Sequence, residues 1–375
     1  MTENKHFPKK IENVGLALHK TRNLLSITDK ILASKTLAVS NDAWLDELIA
    51  WADENDIRET MLPRSKKVLQ EMPCLYLFTN TTEFPDSIGK LTNLKKLTLS
   101  SSKIIEFPKN INNLTGLSEL ELESRSLTKL PYFIEGMPNL IKLTLRFYQI
   151  DEIPEFIGKM CNLTHLSFIS NQLKQIPDFI MDMTSLKSLS LQGRHHLKDI
   201  PDFVWNMTEL TDLGLCGNQL TEISESIANL KKLTSFYMGD SSLTDIPEAL
   251  CNLTTLTDLY LPCNQITVIP EAIGNLANLK QLSLLSNNIV EFPESISQLT
   301  NLIELDLLNN QITELPESIG NLTNLTILDL SYNRISQLPK SIAKLVNLKE
   351  LILIDNPIKS LPPELSHLNS ITIFD

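Results

Sequence analysis

Leu302-Ile-Glu-Leu305-Asp-Leu307-Leu-Asn-Asn310-Gln-Ile312-Thr-Glu-Leu315-Pro316 is the stretch on which the fold turns. Its Leu305-Asp-Leu307 centre alternates at period two, the mark of a short strand with one apolar face. The Pro316-Glu317 that follows suits the first turn of a short helical piece, where a missing N–H costs nothing and an acid is favoured. The same order of residue types returns downstream as Leu325-Thr-Ile-Leu328-Asp-Leu330-Ser-Tyr-Asn333. Prolines recur at 85, 108, 131, 154, 177, 201, 247, 270, 293, 316, 339 and 362, every 23 residues apart from one step of 24 and a double step across Ser224. Counting Ser224 gives thirteen landmarks, each followed three residues later by an aliphatic such as Ile88, Val204 or Ile319. A period of this length predicts a solenoid of stacked units. It leaves no room for a full helix, so short turns or 3₁₀ pieces are expected opposite the strands.

The string LxxLxLxxNxIxxLPxxIxxLxN resembles the 23-residue leucine-rich repeat over about residues 74–375. The resemblance is to the cytosolic bacterial and intracellular Ras-associated groups of that family. It implies an α/β fold: a right-handed horseshoe with a parallel sheet on its concave side. It also implies an Asn at a fixed place that bridges neighbouring turns, since an amide both donates and accepts. Asn171, Asn218, Asn264, Asn287, Asn310, Asn333 and Asn356 fill that place, whereas Ser102, Arg125, Tyr148 and Ser241 depart from it. The ladder is therefore expected to be weaker early in the chain. Between Leu191 and Pro201 the 24-residue unit carries one extra residue, around Gly193-Arg194-His195-His196, and predicts a local bulge of the loop edge.

Residues 1–73 lack the repeat. Trp44, Leu48 and Trp51 recur at i, i+4 and i+7 behind Asn41-Asp42, an amphipathic helix. Pro63 is expected to open a second short helix with Val68, Leu69 and Met72, and Ile11 to Leu37 is also helix-like. A solenoid needs its terminal core covered, so residues 40–73 are expected to form an N-terminal cap, with 74–375 as the repeat domain.

Composition excludes several classes of function. No window reaches the eighteen or more apolar residues of a membrane span. The polar opening Met1 to His6, followed by Pro8-Lys9-Lys10, lacks the apolar core of a secretory signal. Five cysteines (Cys74, Cys161, Cys216, Cys251, Cys263) with no CxxC pair point to thiols in a cytoplasmic setting. Glycine numbers only 11, without GxGxxG, GxxxxGK[ST] or HExxH, so no cofactor is expected. His165, His195, His196, Asp212 and Cys216 fall in consecutive repeats, but they lack the local spacing of metal ligands and an oxyanion hole. No metal or catalytic residue is assigned.

Charge is unevenly placed. Residues 201–375 hold 8 Lys and Arg against 21 Asp and Glu, which accounts for the net charge of −12. Such a surface repels phosphate backbones, so nucleic acid is excluded there and a basic protein is the expected partner. The plainer alternative is that the acid only keeps a long solenoid soluble. Alternation around Leu-x-Leu places Thr98, Glu121, Thr144, Ser167, Ser190, Gly214, Tyr237, Tyr260, Ser283, Asp306, Asp329 and Ile352 in one row of the concave face, turned away from the leucine core. Lys96, Glu119, Lys142, His165, Asp212, Asp258, Glu304, Ile327 and Glu350 fall in the preceding row. Early on, Glu119 lies between Lys96 and Lys142, and Glu123 lies beside Arg146, so these charges pair across strands. Later, Asp306 adjoins Asp329 with Glu304 nearby and no basic neighbour. Leu285, Leu308 and Ile354 stand beside them, and Tyr237, Tyr260 and Tyr332 add aromatic anchors.

The sequence thus reads as a non-enzymatic protein-interaction module without membrane contact. Its partner surface is Tyr237, Asp258, Tyr260, Leu285, Glu304, Asp306, Leu308, Asp329, Tyr332 and Ile354. The alternative is an effector or enzyme-associated subunit whose activity or docking lies in the N-terminal helical region. At the other end, Ser370 to Asp375 read as one more Leu-x-Leu strand. An acidic guard on so short an edge favours a monomer.

Overall fold

The computed structural model describes residues 42–193, 197–367 and 372–374. The helix-like stretch Ile11 to Leu37, the histidines His195 and His196 and the expected bulge at 194–196 lie outside the described residues. Two compact units divide at Glu71 and Met72.

In the first unit, α1 (Ala43–Glu54) buries Leu45, Leu48, Trp51 and Ala52 on one face. Asp42 precedes it, yet its carboxylate does not cap the helix; Oδ1 accepts from Gln70 Nε2 at 3.0 Å and ties the start of α1 to α2 (Lys66–Glu71). Arg64 fastens the intervening turn, donating through Nε to Asp53 Oδ1 at 2.7 Å and through Nη2 to the Ile57 carbonyl at 2.7 Å. Pro63 stands three residues ahead of α2 rather than opening it. Of the expected apolar set, Leu69 is buried, Val68 is exposed and Met72 falls after the helix.

The second unit is a single parallel sheet of fourteen strands in chain order. Six strands are long: β1 (Cys74–Thr79), β2 (Lys96–Ser101), β3 (Glu119–Ser124), β4 (Lys142–Phe147), β5 (His165–Ile169) and β6 (Ser188–Gln192). Eight span three residues each: β7 (Asp212–Gly214), β8 (Ser235–Tyr237), β9 (Asp258–Tyr260), β10 (Gln281–Ser283), β11 (Glu304–Asp306), β12 (Ile327–Asp329), β13 (Glu350–Ile352) and β14 (Thr372–Phe374). Inward leucines such as Leu282, Leu305 and Leu328 stand opposite one another in register and are buried. Burying each side chain contributes about 1.5–3 kcal/mol, and a repeat gains that burial only when its neighbour is in place.

Opposite the strands, the landmark prolines stand at the start of five-residue 3₁₀ segments in extended geometry, as Pro316 does at φ −66°, ψ 149°. The aliphatic three residues on turns into the core while its N–H donates to the proline carbonyl, as Ile319 does to Pro316 at 3.0 Å. Ser224 adopts the same geometry without the ring, and its hydroxyl accepts from Ser226 N at 3.2 Å. Two units differ: after Pro201 the 3₁₀ segment is only Val204–Asn206, preceded by Phe203, and after Pro247 stands α3 (Glu248–Cys251), where Asn252 N reaches the Glu248 carbonyl four residues back. The Asn-Leu pair ahead of several strands is also structural: Asn162 donates to the Pro138 carbonyl at 3.0 Å, and Asn278 and Asn324 make the same bond 24 residues back at 2.8 Å.

The bridging Asn is confirmed late in the chain and replaced early. Asn264, Asn287, Asn310 and Asn333 each donate to carbonyls 3 and 26 residues back, and each accepts from an N–H 21 residues back. Asn356 does the same, and Asn218 donates to carbonyls 3 and 27 residues back, the extra residue of the 24-residue unit lying between. Asn171 makes no such bond among the described residues. Next to it, the buried Ser170 hydroxyl donates to the Ile150 carbonyl. Ser101 and Ser124 do likewise to Thr81 and Ile104, at 2.5 and 2.6 Å. A serine at this inward place meets a carbonyl of the previous turn without any bend in the strand.

The late strands do bend. Gly217, Asp240, Cys263, Ser286, Asn309, Tyr332 and Asp355 all have φ between 49° and 74°, in the left-handed region, at intervals of 23. That single residue re-aims the chain, and in six of the seven cases the residue that follows it is the inward Asn; after Asp240 it is Ser241. Gly217, the first of the series, also needs its bare Cα, because a Cβ there would come within 1.9 Å of the Gly193 carbonyl oxygen.

Candidate partner-binding surface

The side of the sheet turned away from the core carries the rows read from sequence. Register aligns Gly214, Tyr237, Tyr260, Ser283, Asp306, Asp329 and Ile352 across β7 to β13. The preceding row aligns Asp212, Ser235, Asp258, Gln281, Glu304, Ile327 and Glu350. Together with Cys216, Gly239, Pro262, Leu285, Leu308, Ser331 and Ile354 beyond them, these rows hold six carboxylates and no Lys or Arg.

Hydroxyls hold those carboxylates. Thr211 Oγ1 donates to Asp212 at 2.6 Å; Thr257 Oγ1 and Ser235 Oγ donate to Asp258 at 2.7 and 3.2 Å. Asp306 accepts from Ser283 Oγ at 2.9 Å and from the Leu308 N–H at 3.1 Å. Asp329 accepts from Ser331 N and Oγ at 2.9 and 2.7 Å. Among the described residues none of these acids, nor Glu304 or Glu350, forms an ion pair.

Repulsion between the adjoining Asp306 and Asp329 is the lesser influence on this pair. Burial is the main influence pushing the Asp306 carboxyl up, the bonds from Leu308 and Ser283 oppose it, and the Asp329 charge adds less. Each carboxylate has turned to its own local donors, which relieves part of the tension without a partner.

Tyr237 and Tyr260 stack with ring centroids 4.9 Å apart and planes 6° from parallel. Burial raises both phenols, Tyr260 to about 12, and the charge of Asp258 adds to each. Leu285 and Leu308 are half-buried, and Ile354 is 38% exposed. Tyr332 lies apart from these rows: it occupies the left-handed turn after β12, 51% exposed at the loop edge.

The early rows differ. Lys96 pairs with Glu119 at 2.7 Å, as read from sequence, but Arg146 reaches diagonally to Glu121 at 2.8 Å rather than to Glu123. Glu123 accepts instead from Ser100 Oγ at 3.0 Å. Asp212, outside the ten residues read from sequence, joins the same patch through the Tyr237 ring, which feels its charge. His165 Nδ1 lies 2.7 Å from Thr164 Oγ1, while the Cys216 thiol accepts from Gly239 N at 3.3 Å; among the described residues no cluster of three or more potential metal ligands occurs. No described helix is long and apolar enough to cross a membrane.

The family model for the leucine-rich repeat region matches residues 189–308 and 294–374. A leucine-rich repeat protein of Leptospira interrogans is 32% identical and superposes with a TM-score of 0.70, over 83% of this chain and 80% of its own. An internalin of Listeria monocytogenes, 24% identical, shares the fold with a TM-score of 0.63 over 88% of this chain and 96% of its own. A plant peptide hormone receptor, solved in complex with RGF2, is 24% identical with a TM-score of 0.57, over 81% of this chain and 55% of its own. No match is found among curated proteins.

Proposed function

Because this chain belongs to the leucine-rich repeat proteins, whose fold typically serves protein–protein interaction, we propose that it is a non-enzymatic recognition module. Its site is the outward face of β7 to β13, and its partner is a protein with a basic surface. One observation carries the reading: across those strands the outward rows hold six carboxylates and no basic side chain, whereas in the early rows Glu119 and Glu121 are paired with Lys96 and Arg146. Unpaired charge beside half-buried leucines and stacked tyrosines suits a partner that supplies the opposite charge and covers the apolar area. The plant receptor, a protein of the same fold, was solved with a bound partner. The ten residues named from sequence belong to this surface, with Tyr332 at its rim and Asp212 added.

We extend the proposal to a cytoplasmic monomer whose five cysteines stay reduced, with residues 1–73 serving as the N-terminal cap. A 74–375 fragment as soluble and stable as the whole chain would remove the cap from it. The main test is a quantitative pull-down from the source lysate, comparing the native chain with a variant carrying Asn at 258, 306 and 329. Proteins captured by the native chain and lost by the variant should be basic. An unchanged captured set places the site elsewhere.

A further inference from the structure

On the outward face, Gly214 stands opposite Tyr237 in the neighbouring strand. Beyond Gly214 the same row continues through Ser190 and Ser167, and beyond Tyr260 comes Ser283. The two stacked rings therefore rise as a double wall between low floors. Parallel rings on adjacent strands repeat at the strand spacing of about 4.8 Å, so the place above Gly214 is where a third plane of the stack would lie. Gly214 itself puts no side chain there, and its backbone is buried between its neighbours, so a third plane would stand at the height of the rings rather than on the strand. The atoms nearest to a Cβ built on Gly214 belong to Ser190, with Oγ at 3.1 Å, so that floor is backbone and a short hydroxyl.

The charges around this place are of one sign. Asp212 precedes Gly214 by two residues on the same face of β7, with one carboxylate oxygen bonded to Thr211 Oγ1. Asp258 lies two strands away in the same row, and Tyr237 senses both carboxylates. A cation favoured by these acids must also be flat to continue the stack. Guanidinium is flat, weakly hydrated and attracted to an aromatic face, whereas ammonium is compact and strongly hydrated.

We propose that the Tyr237 face above Gly214 is an arginine slot, in which a guanidinium from the partner lies against the ring and donates to Asp212. This deepens the recognition reading and rests on it: the basic partner engages this part of the face through arginine rather than lysine.

Hexa-arginine and hexa-lysine peptides, titrated calorimetrically against the full chain at low salt, separate the two ideas. The native chain should bind hexa-arginine about three- to fivefold more tightly than hexa-lysine. Tyr237→Leu and Asp212→Asn, both outward-facing changes, should each bring that ratio close to one. Equal affinity of the native chain for both peptides would overturn the slot and leave the acidic face standing. Binding of neither would overturn both. A preference that survives Tyr237→Leu would also overturn the slot, because the arginine would then be read elsewhere.

Discussion

From β1 to β6 the chain leaves the sheet along an extended run of five or six residues, and at β2, β3 and β5 an inward serine hydroxyl spans to the previous turn. From β7 on, it leaves after three residues through a left-handed bend, and from Asn264 onward an inward amide spans to the previous turn with donors and an acceptor together. The outward faces divide at about the same point, into a region of internal ion pairs and a region of unpaired acid. One period thus supports two kinds of repeat. The half with the stronger internal ladder is also the half whose surface is left unbalanced. A rigid frame can hold like charges near one another, because its inward bonds offset what the outward face costs.

Breaking one rung in each half gives the largest contrast. Asn310→Ala leaves the Leu284 and Leu307 carbonyls and the Ile289 N–H without their partner. It should cost about 3 kcal/mol, since buried polar groups lose their bonds without regaining water. Ser124→Ala removes one donor to the Ile104 carbonyl and should cost about 1 kcal/mol. Urea unfolding of the two variants measures both, and equal losses would dissolve the distinction between the ladders.

Surface charge is the next point of contrast. Asp306→Asn with Asp329→Asn should weaken binding of a basic partner about tenfold and flatten its salt dependence, while leaving stability equal or slightly raised. Glu119→Gln with Glu121→Gln breaks the pairs to Lys96 and Arg146. It should lower stability by about 0.5–1 kcal/mol for two half-exposed pairs and leave binding unchanged. Calorimetric titration and thermal melts on both variants decide it; a binding loss from the early pair would move the site.

Much of this was legible in the residues. Period, strand positions and outward rows follow from counting, because the Leu-x-Leu alternation fixes which side chains face the core and register follows from the constant spacing. What counting missed was local. Asn171 matches the amide position, but Ser170 one place earlier already satisfies the preceding turn without a bend, so the identity of one residue overrides the spacing of the next. Tyr332 counts as an aromatic anchor until the left-handed turn sends it to the loop edge. Side-chain reach was not in the pattern either: Arg146 is long enough to choose the diagonal Glu121, and Asp306 bends to the Leu308 N–H. The slot at Gly214 reads as a mere gap until the two tyrosines are seen stacked beside it.

Tyr332 tests the bend itself. Its φ of 55° disfavours a bulky side chain, whereas Asn309 occupies the equivalent place one repeat earlier with a residue that tolerates this region. Tyr332→Asn should stabilise the chain by about 0.5 kcal/mol, part of the left-handed penalty, and weaken binding if the ring lines the rim. A melting temperature that falls would mean that the exposed ring holds the turn.

The smallest effect is one of pH, and it has opposite signs on the two sides of the late repeats. Burial lifts the Asp306 carboxyl above its ordinary 3.8, so the folded chain holds that proton more tightly than the unfolded chain does. Asp306 therefore favours the fold when protonated, and its contribution declines as pH rises through the ordinary aspartate value and on to the raised one. Glu317 behaves in reverse. The neighbouring Ser341 side chain and its backbone N–H, which donates to Oε2 at 3.1 Å and is the one bond the geometry bears out, hold its carboxyl below the ordinary 4.5, so its contribution is present above that value and is lost as pH falls through the lowered one. Relative to the native chain, Asp306→Asn should gain stability as pH goes from 3 to 7, and Glu317→Gln should lose it, which melts at a series of pH values will show. Parallel curves for the two variants would mean that the outward face places no desolvation cost on its acids, and the contrast between a satisfied ladder and a strained surface would lose its electrostatic half.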